Sequence, residues 1–265
     1  MSLKSLQTKS MENLPAEVIQ EIFSRLPITS LFENRYVCQT WHGLINDRRL
    51  SFMHYVQASR RINPTTSLIL YNGPGLYYIP DFNTCQNVVV FNNLPFKSWL
   101  PYFKVVASQN GFICVAADGC SYRNIFICNP VIGEWFLVPR SETLYGTNYG
   151  FGYELETNEY KIVRMRFCKD EDNYDVEIHK LGTSTWRDIG KVKRIIGDDP
   201  GASGVLENGE ILVEINNGAL VSYNQKRKSY REIIINGLPG SFKAVPHVGT
   251  LLPLMHAIQT VDCGN

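Results

Sequence analysis

Five histidines, His42, His54, His179, His247 and His256, are the side chains best suited to metal binding or general-base work, and none stands at an H-x-H or H-E-x-x-H spacing. Each is read as a structural residue. No G-x-S-x-G elbow is present to anchor a Ser–His nucleophile. The run KDEDNYD, with Asp170, Glu171, Asp172 and Asp175, lacks the glycine and the terminal Glu of a calcium loop, so it reads as a solvated connection between strands. NGPG at Asn72 to Gly75 has neither the Lys nor the helix start of a phosphate loop and reads as a turn. Seven cysteines, Cys38, Cys85, Cys114, Cys120, Cys128, Cys168 and Cys263, are odd in number and form no C-x-x-C pair, which disfavours a disulfide framework or a zinc cage. They are expected to be reduced packing residues of an intracellular protein. No cofactor, metal or catalytic residue is expected; what remains is the chemistry of binding.

Charge and length narrow the partners. Twenty-six basic and 25 acidic side chains leave a formal net charge of +1, too weak a field to make nucleic acid or an anionic membrane the main partner. No apolar run approaches the roughly 20 residues that span a bilayer, and MSLKSLQTKS has no apolar signal region. A soluble protein of the cytoplasm and/or nucleus is expected. Gln225-Lys226-Arg227-Lys228 reads first as an exposed hairpin tip, with a nuclear signal as the alternative.

The elements that position any binding residues fall into two textures. Pro15 suits the first turn of a helix, and Glu17 and Glu21 place negative charge near its start. Val18, Ile19, Ile22, Phe23 and Leu26 share one stripe that Pro27 ends. Thr29 and Ser30 are available as caps for a restart that carries Leu31 and Phe32. A second stripe follows at Val37, Cys38, Trp41, Leu44 and Ile45. Three short helices in so few residues cannot make a self-sufficient core, so part of this apolar surface is expected to be covered by another molecule. Half a dozen such side chains at about 1.5–3 kcal/mol each would supply on the order of 10 kcal/mol, comparable to an association cost of about 4–15 kcal/mol.

From Thr65 onward short apolar runs alternate with Gly, Asn, Asp and Pro, the pattern of hairpins. NIFICNPVIGEWFLVP, YDVEIHKLGTSTWRDIG and GALVSYNQKRKSYREII repeat one plan, an apolar strand, a polar turn and a return strand opening on an aromatic; YYIPDFNTCQNVVVFNNLP follows it loosely. The spacing of their turns matches blades of four strands. The fold class expected is therefore a small all-α N-terminal domain of three short helices, followed by an all-β propeller-like domain of about four blade-like antiparallel sheets, with ring closure in doubt. An open blade would offer a free strand edge. The expected boundaries are 1–10 for a disordered tail, 11–57 for the helical block and a following helix, 58–64 for a linker, 65–256 for the β domain and 257–265 for a tail. Trp99, Tyr102 and Phe103 with Tyr145, Tyr149, Phe151 and Tyr153 could line a recognition surface, although aromatics at blade spacing more often pack between blades.

The stretch LPAEVIQEIFSRLPITSLFENRYVCQTWHGLI resembles an F-box, with Leu14-Pro15, Glu17, Ile22, Leu26-Pro27, Leu31, Arg35, Val37-Cys38 and Trp41 at that motif's spacings. It departs from the plant-type pattern at Gln39-Thr40 and at Glu33-Asn34. Asn110-Gly111, Asn129-Pro130, Gly150-Phe151-Gly152-Tyr153, Tyr160-Lys161 and Trp186-Arg187 resemble the marks of the plant F-box-associated interaction domain, a kelch-like module, here with fewer strands after the Trp-Arg element. The resemblance implies a substrate-recognition subunit of an SCF-type cullin–RING ubiquitin ligase, not itself an enzyme. A Skp-type adaptor, and through it a cullin scaffold, would bind at Leu14, Pro15, Val18, Ile19, Ile22, Phe23, Leu26, Pro27, Leu31, Val37 and Trp41; an unidentified protein target would bind the β domain at residues the sequence does not name. Two alternatives stay open: a propeller that binds a glycan or small ligand, and a shortened, adaptor-sequestering paralogue without a substrate.

Overall fold

A computed structural model describes residues 14–59, 67–81, 88–92, 94, 96–117, 124–141, 147–154, 156–168, 173–193, 202–205, 211–215, 219–224, 227–233 and 242–258. The chain forms two compact units that divide at Ile62/Asn63.

The first unit is helical. α1 (Ala16–Phe23) and α2 (Ile28–Asn34) each follow a proline whose fixed φ, −55° at Pro15 and −58° at Pro27, points the chain into the helix. Pro15 is thus the residue ahead of the first turn rather than within it, and its carbonyl accepts from Val18 and Ile19 N–H at 3.0 and 3.2 Å. Thr29 and Ser30, expected as caps, lie inside α2, which has no side-chain cap. α3 (Gln39–Ile45) is capped by Cys38, whose Sγ accepts from Trp41 N–H at 3.4 Å. Val37 therefore sits in the connection before α3 and not on its stripe. α4 (Arg48–Ser59) begins at Asp47, whose Oδ1 accepts from Arg49 N–H at 2.8 Å, and it carries helix into the first residues of the expected linker. Two long-range hydrogen bonds tie the helices together: Gln20 Nε2 donates to Asp47 Oδ2 at 3.1 Å, and His54 Nε2 lies 3.1 Å from Leu26 O.

The second unit begins with β1 (Leu68–Tyr71), β2 (Leu76–Ile79) and β3 (Val89–Val90), followed by β4 (Phe103–Gln109), β5 (Phe112–Ala117), β6 (Ile125–Asn129) and β7 (Glu134–Leu137). Next come β8 (Thr147–Glu154), β9 (Glu159–Cys168), β10 (Asn173–Lys180) and β11 (Arg187–Lys193). β12 (Ala202–Val205), β13 (Ile211–Ile215), β14 (Ala219–Asn224), β15 (Ser229–Ile233), β16 (Lys243–Pro246) and a short α5 (Leu254–Ile258) complete it. They build four antiparallel sheets, β16-β1-β2-β3, β4-β5-β6-β7, β8-β9-β10-β11 and β12-β13-β14-β15. The four hairpins that repeat one plan in the sequence are β2–β3, β6–β7, β10–β11 and β14–β15, the third and fourth strands of each sheet. Asp175, expected in a loop, lies on β10 opposite Arg166, while residues 169–172 of the same run are outside the described residues.

The sheets are propeller-like blades that do not close a ring. β16 pairs with β1, so the last strand of the unit completes the first sheet. The innermost strands adjoin in the order β12, β16, β4, β8, and among the described residues no comparable adjacency joins β8 to β12. A core of Phe112, Cys114, Ile125, Ile127, Phe151, Tyr160 and Ile162 fills the space between the second and third sheets.

Each innermost strand begins at what we term the upper end and finishes at the lower end, where the turns Asn110-Gly111, Pro130–Gly133 and Leu181–Trp186 lie. The segment after β16 crosses that lower end. His247 N–H donates to Ser67 O at 2.9 Å, Asn129 Nδ2 donates to Thr250 O at 2.8 Å and Leu252 O at 2.9 Å, and Leu254 N–H donates to Glu134 Oε2 at 2.6 Å. Gly111, at φ +84°, leaves Thr250 the space a Cβ would occupy, and a Cβ on Gly182 would meet Ile258 O at 2.9 Å. Leu252, Leu254 and Ala257 enter the core between the second and third sheets. This helical finish to a strand-rich unit falls across the boundary expected at residue 256. No helix among the described residues is long and apolar enough to cross a membrane.

Candidate functional site

The eleven residues expected at the adaptor surface separate by burial. Ile19, Phe23 and Leu31 are buried and hold the helices to one another; Phe23 meets Trp41 edge-on with ring centroids 5.0 Å apart. Leu26 and Trp41 are half-buried, and Pro15, Pro27 and Val37 are exposed. Leu14, Val18 and Ile22 keep 40, 42 and 37% of their surface in water. Four-residue spacing sets these three on one line along α1 and just ahead of it. With about two fifths of its area left to cover, each can contribute about 1 kcal/mol on docking rather than the full burial value.

Three further exposed aromatics join the helical unit's surface: Tyr36, Phe52 and Tyr55. Tyr36 escapes a helical-stripe reading because it lies in the turn before α3. Its ring is one of two that embrace Arg35, whose guanidinium carbon stands 4.2 Å from the Phe32 centroid and 4.8 Å from that of Tyr36. Phe52 and Tyr55 are three residues apart on α4, away from the buried Leu50, Ser51 and His54; that spacing is their signal in the sequence.

In the β unit the candidate aromatics divide as well. Phe103 and Phe151 are buried, Tyr149 and Tyr153 are partly buried, and Tyr145 lies outside the described residues. Trp99 and Tyr102 stand out in water at 57 and 63% exposure, on the connection between the first and second sheets. A cleft on the third sheet is lined by Arg164, Arg166, Asp175, Glu177 and Asp188. Arg164 Nη1 lies 3.5 Å from Glu177 Oε2, which also accepts from Ser141 Oγ at 2.8 Å, while Arg166 pairs with Asp175. Arg166 holds the Asp175 carboxyl below the usual carboxylate range. Cys168 Sγ donates to Asp175 Oδ2 at 3.0 Å, and that hydrogen bond raises its thiol pKa, the opposite of what activates a nucleophilic cysteine.

A Ser–His pair is present in the β unit. Ser108 Oγ lies 2.8 Å from His247 Nδ1, but burial pushes the imidazole down to about 3, far too weak a base to activate a hydroxyl at neutral pH. The ring meets Tyr78 edge-on at 5.7 Å and fixes the end of β16, a structural task. His179 is buried against Trp186 and also has its pKa lowered by burial. Cys114 and Cys128 are buried thiols, whereas Cys38 and Cys168 serve as hydrogen-bonding groups rather than as packing alone.

The helices with a partly exposed stripe, followed by four-stranded sheets in propeller order, match two families. Residues 11–56 match an F-box-like domain, and residues 76–212, just over half of the 265-residue chain, match the F-box associated beta propeller domain. The chain belongs to the F-box associated beta-propeller family. The Arabidopsis thaliana F-box protein At3g17480 is 27% identical over 252 residues, 86% of this chain and 65% of that protein. F-box/kelch-repeat protein At3g23880 of the same plant is 23% identical over 241 residues, 84% of this chain and 66% of that protein. F-box protein At3g07870, also from that plant, is 27% identical over 180 residues, 64% of this chain and 41% of that protein. The chain thus spans between 41 and 66% of the length of these three relatives. In this F-box protein the family match covers the second and third sheets whole, so the marks Asn110-Gly111, Asn129-Pro130 and Trp186-Arg187 have places in it: a lower-end turn, the buried anchor of the C-terminal segment, and the start of β11.

Proposed function

We propose that the chain is the substrate-recognition subunit of an SCF-type cullin–RING ubiquitin ligase, binding a Skp-type adaptor through its F-box and a target protein through the β unit. The observation that carries this reading is the exposed line Leu14, Val18 and Ile22 on an F-box joined to a propeller-like unit. Those three supply only about 3 kcal/mol together, less than the association cost of about 4–15 kcal/mol. The contact therefore extends over Pro15, Pro27, Tyr36 and Val37 and takes the remaining surface of Leu26 and Trp41, while Ile19, Phe23 and Leu31 support it from behind. The chain acts without a nucleophile of its own: holding a target near a charged ubiquitin carrier raises the effective concentration of its lysines. The receptor works in the cytoplasm or nucleus. Affinity purification of the intact chain against Leu14→Ala/Pro15→Ala tests this; adaptor and cullin peptides are lost from the variant while targets persist. Equal recovery of the adaptor by both would refute the surface assigned to it.

A second reading, an adaptor-sequestering protein without a target, draws on the unjoined flank between β8 and β12. It predicts adaptor recovery with no enriched target in the same purification.

A further inference from the structure

The two ends of the β unit differ. The lower end is crossed by residues 247–258, held by the hydrogen bonds of Asn129 and Glu134. The upper end of the first two sheets carries a cluster of cations and aromatics. Phe103 N–H donates to Gly73 O at 3.1 Å, which joins the start of β4 to the β1–β2 turn, and Gly73 leaves room for the Tyr102 ring beside it. Lys243 pairs across β1 with Tyr71, two residues before Gly73, and Lys104 follows Phe103 on β4. Phe96, packed on Phe103 at 5.3 Å, sets the turn that projects Lys97 and Trp99. Lys97, Trp99, Tyr102 and Lys243 are exposed and Lys104 is partly so; Arg140, also exposed, stands on the next upper connection. No Asp or Glu lies among the described residues of this end of the first two sheets. The cleft acids Asp175, Glu177 and Asp188 are on the third sheet, where Arg164 and Arg166 face them.

We propose that this upper end is the target-binding face and that it takes an acidic segment of a protein, whose carboxylates face Lys97, Lys104 and Lys243 while an apolar side chain packs on Trp99 and Tyr102. The proposal rests on the receptor reading above and names its ligand class. Exposed Trp and Tyr are the side chains that make binding hot spots, because they cover a large area at small entropic cost. Lysines placed around them select the sign of the partner's charge and speed encounter. The chain's net charge of +1 makes this a local attraction rather than the broad field that nucleic acid requires.

The test uses the intact chain bound to its adaptor. The probe is a short fluorescein-labelled peptide of Glu and Asp around a central Leu-Phe pair, with a Lys-substituted twin and oligouridylate RNA as comparisons, each followed by anisotropy. The acidic peptide is expected to bind and its twin not to bind. Trp99→Ala raises Kd about tenfold, Lys97→Glu with Lys243→Glu raises it at least as much, and added salt weakens binding. These positions are exposed, so adaptor capture by the variants matches that of the wild type. Binding of the twin as tight as that of the acidic peptide, an unchanged Kd in both variants, or tighter binding of the RNA each overturns the proposal. Adaptor capture without acidic-peptide binding sinks the proposal alone; peptide binding by a chain that captures no adaptor sinks the receptor reading and leaves the acidic-segment face standing.

Discussion

Replacing Asn129 with alanine frees the C-terminal segment from the second sheet. The side chain is fully buried and makes three hydrogen bonds: Nδ2 donates to Thr250 O at 2.8 Å and to Leu252 O at 2.9 Å, and Oδ1 accepts from Val131 N–H at 3.0 Å. Each such bond contributes a net of about 1 kcal/mol, and a backbone group left buried without a partner costs about 1–3 kcal/mol. If water reaches all three groups the loss is about 3 kcal/mol; if the segment stays docked and dry it exceeds roughly 5 kcal/mol. Either figure is a large share of the about 5–15 kcal/mol by which domains are stable. Urea unfolding followed by tryptophan fluorescence reads it, since Trp99, Trp135 and Trp186, three of the chain's four tryptophans, belong to the β unit. With a slope of about 2 kcal/mol per molar urea, the midpoint falls by about 1.5 M or more. Proteolysis at Met255 is expected to accelerate in step. Asn129→Asp keeps the acceptor for Val131 but turns a carboxylate toward two carbonyl oxygens, so it loses at least as much despite its equal volume. A loss under about 1 kcal/mol in Asn129→Ala, with unchanged proteolysis, would show that the segment is held by its apolar side chains and not by this amide.

Val18→Glu with Ile22→Glu should abolish adaptor capture in a pull-down while the circular dichroism of the protein stays unchanged, whereas Ile19→Glu should unfold the helical unit, since it buries a charge in the helix core. Gly111→Ala places a Cβ at φ +84° and 3.0 Å from Val248 O, inside the space of Thr250, and should cost about 2 kcal/mol or more in urea unfolding. His247 is held neutral in the fold, its pKa pushed down to about 3, while the unfolded chain takes up that proton near pH 6.5. Between those values the unfolded state binds more protons, so stability falls as pH is lowered, by about 2 kcal/mol from His247 alone between pH 7 and 5; His247→Gln should flatten that slope, and an unchanged slope would place the titration elsewhere.

Much of this architecture is legible along the chain because hairpins are local. NIFICNPVIGEWFLVP encodes two strands and the turn between them within sixteen residues, and its three counterparts became the third and fourth strands of the other sheets. The chain-end pairing of β16 with β1 could not be read that way, since its partners are about 175 residues apart. The C-terminal segment is hidden for a related reason: Asn129-Pro130 reads as a turn, and nothing near it shows that the amide binds Thr250 and Leu252. On the helical side, periodicity groups Val18 with Ile19 and Ile22 with Phe23, because a helix stripe is broad enough to include both a packed flank and a wet one. Only the approach of α3, with Trp41 against Phe23, divides them. Tyr36, Phe52 and Tyr55 were absent from that surface because one sits in a turn and the other two belong to a helix expected only as a continuation.

In a closed propeller each blade covers both faces against its neighbours, and lateral contact around the ring stabilises all of them. Here, among the described residues, the run of innermost strands β12, β16, β4, β8 leaves the third sheet with one comparable neighbour, the second sheet. The C-terminal segment supplies contact in another direction. It leaves the first sheet at His247, is bonded to the second through Asn129 and Glu134, and reaches the third where Ile258 meets Gly182. Its apolar side chains Leu252, Leu254 and Ala257 complete the core that the second and third sheets share. Three sheets are thereby tied from below by one segment in place of a ring closed from the side. The same segment occupies the lower end of these three sheets, and the upper end is the face proposed above for the acidic segment.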